Sequence, residues 1–167
     1  VLHTLRKMEQ QGYEVTLLDV PENGVISAEQ VKAAIRPDTC LVTIMFANNE
    51  IGTIQPIPEI GRICREAGVL FHTDAVQAAG HLPIDVQAMD IDMLSLSAHK
   101  FHGPKGVGVL YAKRGIALTN VIEGGAQERG KRAGTENIPG IVGAAAAFQD
   151  ACEHMAENAA KMTPLRD

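Results

Sequence analysis

Apolar and polar positions alternate with two periods along this chain, and the alternation predicts helices layered on a sheet. Val15-Thr16-Leu17-Leu18-Asp19-Val20 is rich in β-branched and apolar residues and reads as a strand. Ser27-Ala28-Glu29-Gln30 is a capping box, so a helix opens there, runs to Ile35 and stops before Pro37. Cys40 to Phe46 is an almost wholly apolar strand, as expected of one covered on both faces. Pro58 to Ala67 sets Ile60, Ile63 and Cys64 on one side of an amphipathic helix that Gly68 closes. Val69 to Asp74 reads as a third strand, Ala75 to Ala79 as a short helix and Met93 to Ser97 as a fourth strand. The turn before Val107 to Tyr111 is too short for a crossover helix, so that segment runs antiparallel to its predecessor or leaves the sheet. Leu2, Leu5 and Met8 mark a helix at the start, and Asn137 and Pro139 begin a long alanine-rich one from Ile138. Such alternation implies an α/β fold, a mostly parallel sheet with helices on both faces. The glycine-rich, charged stretch from Ile116 to Asn137 is the one irregular segment, and loops of that length are commonly functional or disordered.

Composition narrows the classes. With 167 residues there is room for one domain with a true core, not for two of full size. A formal net charge of −5 provides no basic face, so no nucleic-acid partner is expected. The longest apolar run, Ile141 to Phe148, is far below a membrane span, and no secretory leader is read. Cys40, Cys64 and Cys152 have no close pairing, which suits a reducing, cytoplasmic compartment. The chain opens inside a helical pattern without methionine and closes on helix-like sequence, so we expect a piece of a longer protein.

The chemistry concentrates at Ser97-Ala98-His99-Lys100, followed at once by Phe101-His102-Gly103-Pro104-Lys105-Gly106. Lys100 emerges just past the carboxyl end of a strand, the edge at which open α/β sheets collect ligands. An amine drawn partly out of water there can capture an aldehyde. Asp74 ends the third strand at the same edge, Gln77 follows one helical turn later, and Asn49 lies in the loop after the second strand. A carboxylate, two amides, a hydroxyl, an imidazole and a lysine thus converge. Pyridoxal phosphate requires nearly that set: an acid for its pyridine nitrogen, an amide for its phenolic oxygen, and hydroxyl, imidazole and backbone N–H groups for its phosphate.

Four stretches make the chain resemble the large domain of NifS/IscS-type cysteine desulfurases, in the class V aminotransferase family of pyridoxal-phosphate enzymes. They are Asn48-Asn49-Glu50-Ile51-Gly52-Thr53-Ile54-Gln55-Pro56, Phe71-His72-Thr73-Asp74-Ala75-Val76-Gln77, Ser95 to Gly108, and Gln127 to Asn137. The resemblance implies the aspartate-aminotransferase-like fold (fold type I), with residues 1–167 forming an incomplete cofactor-binding large domain. It implies that Lys100 holds the cofactor covalently and moves protons. Asp74 would pair with the pyridine nitrogen, Gln77 with the phenolic oxygen, and Asn49 would orient cofactor and substrate. Ser97 and His99 would hold the phosphate, and Thr135 would reach the phosphate of the neighbouring subunit in a homodimer. The implied reaction takes sulfur from L-cysteine, leaving L-alanine and an enzyme persulfide, and passes it to an acceptor or scaffold protein for iron–sulfur cluster or thio-cofactor assembly. Selenocysteine lyase shares these motifs, and a silent fragment that only packs against a partner is the alternative from another class. The family's ring-stacking histidine, sulfur-accepting cysteine and carboxylate-clamping arginine have no counterpart in this sequence. Ala126 stands where relatives commonly carry a third glycine after Gly124-Gly125.

Other signals are weaker. The His72-x-Asp74 spacing suits structural support of a strand end better than a metal, and no metal site is expected. His81 and His102 read as surface or loop residues, and Cys40 and Cys64 as small core residues. The glycines from Gly103 to Gly108 spell neither a Walker loop nor a dinucleotide fingerprint.

Overall fold

A four-stranded sheet in the order β1-β2-β3-β4 organises the chain, three strands parallel and the last antiparallel. The computed structural model describes all 167 residues. The strands are β1 (Leu41–Met45), β2 (Leu70–Asp74), β3 (Met93–Ser97) and β4 (Gly108–Ala112). The helices are α1 (Leu2–Gln10), α2 (Ala28–Ala34), α3 (Ile57–Ala67), α4 (Gln127–Gly130, one distorted turn), α5 (Ile138–Glu153) and α6 (Met155–Arg166). None is long and apolar enough to cross a membrane.

Local sequence explains most boundaries. Ser27 Oγ accepts from the Gln30 backbone N–H at 3.1 Å while the Gln30 side chain accepts from the Ser27 N–H at 2.8 Å, so two of α2's free donors are satisfied reciprocally. The α3 helix ends at Gly68, whose φ of 69° is the left-handed cap that glycine takes without a Cβ clash. Because β1 and β2 run the same way, the chain must cross over between them, and α3 is that crossover. The short connection from β3 to β4 allows only the antiparallel pairing seen.

Packing follows from α3's apolar stripe. Ile57, Ile60 and Cys64 meet Phe71, Leu94 and Val31 in the main core cluster. At Gly61 a Cβ would lie 2.0 Å from the Met89 carbonyl oxygen, so only glycine lets α3 approach the 79–90 connection. A second cluster joins α5 to the 3-10 turn Ala98–Phe101 through Ala98, Phe101, Ala144 and Ala151, with the Phe101 and Phe148 rings 5.1 Å apart. The segment bearing Lys100 is therefore anchored from below by buried Ala98 and Phe101.

Four readings of the sequence are corrected. Residues 15–20 are extended but join no ladder; Arg36 pairs with Glu14, Gln30 bonds the Asp19 carbonyl, and Leu17 and Val20 stay exposed. A strand-forming sequence needs a partner, and none lies beside it. Strand β1 is consequently an edge strand, half-exposed rather than covered on both faces, and Cys40 before it is exposed. The segment Ala75 to Ala79 is one tight turn rather than a helix. Its amides at Ala78 and Ala79 both return to the Ala75 carbonyl, and Gly80 (φ 79°) then redirects the chain. Finally, the long alanine-rich helix breaks at His154 (φ −104°, ψ 13°), and Cys152 lies within its first part, α5.

Thr73 is fully buried, and its Oγ1 finds no hydrogen-bond partner. Such an orphaned hydroxyl costs free energy that an isosteric methyl does not. Thr73→Val should therefore raise stability by about 1 kcal/mol, read as a higher unfolding midpoint. A lower midpoint would show that the hydroxyl is satisfied in solution.

Candidate functional site

The carboxyl ends of β1, β2 and β3 lie side by side. Met45 is paired with Asp74, and Asp74 with Ser95, so the residues just beyond each strand emerge at one edge. Asn49 follows β1, Asp74 closes β2 with Gln77 in the turn after it, and Ser97, His99 and Lys100 follow one another out of β3. Six of the seven residues singled out in the sequence are gathered at this edge. Thr135 is not joined to it by any side-chain hydrogen bond; it is exposed in the loop between α4 and α5.

Each group arrives with its chemistry largely free. The Asp74 carboxylate is half-buried and accepts the Val76 N–H at Oδ1 (3.0 Å), yet it meets no cation. Gln77 is half-buried, and its amide makes no hydrogen bond. Lys100 is half-buried, and no carboxylate lies within ion-pair distance of its amine. Ser97 Oγ and His99 Nδ1 are 2.8 Å apart, so hydroxyl and imidazole form one preset pair at the start of the 3-10 turn. Asn49 is exposed, and its Nδ2 donates to Glu50 Oε1 at 2.7 Å. An acid without a cation, an amide without a hydrogen bond and an amine without a carboxylate thus share one edge.

Two features escaped the sequence reading. His81 Nε2 lies 2.9 Å from the Lys100 carbonyl oxygen and pins the backbone of the lysine from the β2–β3 connection. His72 is held on both sides, its Nδ1 2.7 Å from Thr43 Oγ1 and its Nε2 2.9 Å from Ser95 Oγ. Burial pushes its pKa below the ordinary value, and the nearby Asp74 charge only partly opposes this. The available signal was alternation: Thr43, His72 and Ser95 are polar positions inside apolar strands. Both ring nitrogens of His72 thus face hydroxyls of the neighbouring strands.

The three cysteines differ sharply. Cys64 is fully buried and its thiol is pushed up to about 11, first by burial and then by the Asp92 charge, so it holds no reactive thiolate. Cys40 is exposed before β1, at the opposite end of that strand from this edge, and Cys152 is exposed within α5. In the 121–137 loop, Glu128 and Arg129 both take left-handed backbone (φ 50° and 59°), an uncommon conformation for residues with a Cβ. Arg132 Nη1 donates there to the Gly134 carbonyl at 2.8 Å and so braces the chain just before Thr135.

The chemistry of this donor set fits pyridoxal phosphate. An unpaired carboxylate suits a cationic ring nitrogen, a free amide suits a phenolic oxygen, a free amine suits an aldehyde, and the Ser97–His99 pair suits a phosphate. Comparison with known proteins points the same way. Residues 2–163 match the family described as Aminotransferase class-V. A protein named cysteine desulfurase IscS from Clostridium botulinum is 57% identical over 99% of this chain and 42% of its own length. One of the same name from Methanosarcina thermophila is 55% identical over the whole chain and 41% of its length. Among solved structures, a NifS-like protein superposes with a TM-score of 0.95 at 45% identity, covering 99% of this chain and 46% of that one. The structure of SspA in complex with cysteine gives 0.86 at 49% identity, covering 89% and 43%. The chain spans less than half the length of these relatives.

His72 also sets a pH dependence of stability. A histidine whose folded-state pKa is depressed is protonated more readily in the unfolded chain, so its contribution is complete above the ordinary value of 6.5 and is lost as pH falls below it. Protonating exposed His154 works in the opposite direction but acts through solvent-screened contacts. The unfolding midpoint of the full-length protein should therefore drop between pH 7 and pH 5.5 by more in the wild type than in His72→Gln. Equal drops would remove His72 as the cause.

Proposed function

This chain belongs to the aminotransferase class-V family, and from that premise we propose that it is part of the cofactor-binding domain of a pyridoxal-phosphate-dependent cysteine desulfurase. The observation that carries the reading is the convergence at one sheet edge of an unpaired acid, an unpaired amide, an unpaired amine and a preset hydroxyl–imidazole pair. The names of relatives more than half identical to the chain over the matched residues support L-cysteine as substrate, as does the cysteine complexed with one structural neighbour, SspA.

When bound, pyridoxal phosphate supplies an aldehyde for covalent capture and a protonated ring that withdraws electrons from the carbon bearing a substrate amine. The chain's residues do the rest. Asp74 keeps a proton on the ring nitrogen by opposing its charge, and its hydrogen bond from the Val76 N–H holds the carboxylate in orientation. Gln77 donates its amide to the phenolic oxygen. Ser97 and His99 bind phosphate oxygens, His99 being already turned toward Ser97. Asn49 orients ring and substrate carboxylate. Lys100 would hold the cofactor aldehyde through Nζ, and its free amine would take the proton from the substrate α carbon and return protons to the β and α carbons as L-alanine forms. Thr135 contributes to phosphate binding across a homodimer.

Sulfur leaves to a thiolate, giving L-alanine and a persulfide. Buried Cys64, its thiol pushed up to about 11, cannot provide that thiolate. The product is a persulfide sulfur ready for an acceptor or scaffold protein, within a cytoplasmic enzyme.

Lys100→Ala in the full-length enzyme should abolish turnover and the lysine adduct that borohydride fixes, read by intact mass, with far-UV circular dichroism unchanged. Wild-type turnover in that variant would overturn the assignment. Asp74→Asn should leave a folded protein that still takes up cofactor, with desulfuration slowed about 100-fold or more, since removing one member of a desolvated charge pair costs roughly 3–5 kcal/mol. An unchanged rate with unaltered cofactor absorbance would contradict it.

A further inference from the structure

Strands β1, β2 and β3 each carry a polar residue on neighbouring positions of the sheet: Thr43 in Leu-Val-Thr-Ile-Met, His72 in Leu-Phe-His-Thr-Asp, and Ser95 in Met-Leu-Ser-Leu-Ser. Thr43 and His72 are direct neighbours in the ladder, whereas Ser95 is opposite Asp74, one diagonal step toward the site edge. The imidazole spans the difference. It reaches sideways to Thr43 Oγ1 at 2.7 Å and forward to Ser95 Oγ at 2.9 Å. A neutral imidazole offers one donor and one acceptor, and hydroxyls can complement either, so the three side chains form a satisfied chain across three strands.

Strand pairing alone does not require this. The β2–β3 ladder has only three residue pairs, and an apolar β-branched residue at position 72 would pack there without the cost of burying an imidazole. What the ring adds is a cross-tie at the last pairs of the ladder. Side chains two apart on a strand share a face, so His72 and Asp74 project the same way, as do Ser95 and Ser97. The tie thus sits one residue pair behind the carboxylate on β2 and the phosphate-binding pair and lysine that follow β3. The only charge that acts on the ring is Asp74, on its own strand; from β1 and β3 it meets hydroxyls.

We propose that His72 is a positioning residue: tied to Thr43 and Ser95, it fixes the Asp74 carboxylate relative to Ser97, His99 and Lys100 at the spacing the cofactor needs. The inference rests on the cofactor reading above and assigns a role to three residues which that reading leaves unused. His72 touches no reacting atom; it acts through Asp74 and the end of β3.

The test uses the full-length enzyme stripped of cofactor, titrated with pyridoxal phosphate and followed by visible absorbance, with thermal unfolding of the same stripped samples. His72→Leu should weaken cofactor affinity by about tenfold, the worth of two lost hydrogen bonds, while its cofactor-free unfolding midpoint stays near the wild type's. His72→Gln, which still reaches one hydroxyl, should recover part of the affinity. Ser95→Ala should weaken affinity in the wild-type background and change nothing further in His72→Leu, because the tie is then already cut. Should wild-type protein take up no cofactor, the proposed function fails, whatever His72 does. Should wild type bind and His72→Leu bind equally well, or lose affinity only in step with stability, the positioning role is overturned. If His72→Leu does not fold, Thr43→Val and Ser95→Ala decide, and unchanged affinity in both overturns the proposal.

Discussion

Three strands that run the same way must deliver their carboxyl ends to the same side of the sheet, and everything about this site depends on that. Parallel pairing of β1 with β2 and of β2 with β3 brings residues distant in sequence to one edge. Asn49, Asp74 and Lys100 are roughly 25 residues apart in succession, the length of one crossover and one strand. No side-chain contact is needed to gather them; the crossovers do so. The core then serves to keep the crossovers in place: α3 presses Ile57, Ile60 and Cys64 onto Phe71 and Leu94, and glycine at 61 allows the 79–90 connection to lie flat against it. A shift of β2 by one residue would turn Asp74 to the other face, and the buried side chain of Phe71 on the core face forbids that slip.

The same edge is where the structure tolerates unsatisfied chemistry. An acid without a base, an amide without a partner and an amine without an acid would be poor choices for stability alone. They are kept half-buried by rigid surroundings: Ala98 and Phe101 beneath the lysine turn, the Asp74–Val76 hydrogen bond, and the His81 contact on the Lys100 carbonyl. These groups carry little of the stability, which is supplied by the apolar cluster behind them. Thr73 illustrates the boundary, a hydroxyl left unpaired on the core face of the strand whose other face carries His72 and Asp74.

How much of this was legible depended on whether the signal was local. The α2 capping box, the Gly68 stop and the antiparallel turn into β4 were readable because each is decided within a few residues. That six of the candidate residues share one edge was readable because strand ends can be located from apolar runs, and strand ends decide which residues meet. Residues 15–20 misled because a strand is a relation between two segments, and the sequence of one cannot reveal that its partner is absent. Among these residues β1 is an edge strand and Cys40 is exposed. The turn after Asp74 read as a helix because Ala-Val-Gln-Ala-Ala favours one, and Gly80, packed against Phe101 and Ala151, cut it to a single turn.

His72 was the hardest to read because its meaning lies in register. From sequence it was a lone imidazole two residues before an acid, and support of the strand end was as far as spacing could go. Only the pairing of Thr43 with His72, and of Asp74 with Ser95, puts a hydroxyl within reach of each ring nitrogen. The two contacts differ in direction, one across the sheet and one toward the site. A residue serving the sheet alone would have no need of the forward one, because the ladder already joins β2 to β3 there through the Ala75 amide and the Ser95 carbonyl. The forward contact instead fixes the side chain of Ser95, two residues before Ser97, and with it the course of the strand into the lysine turn. Parallel pairing brings the candidate groups to one edge, and the proposed role of the cross-tie behind them is to set their spacing.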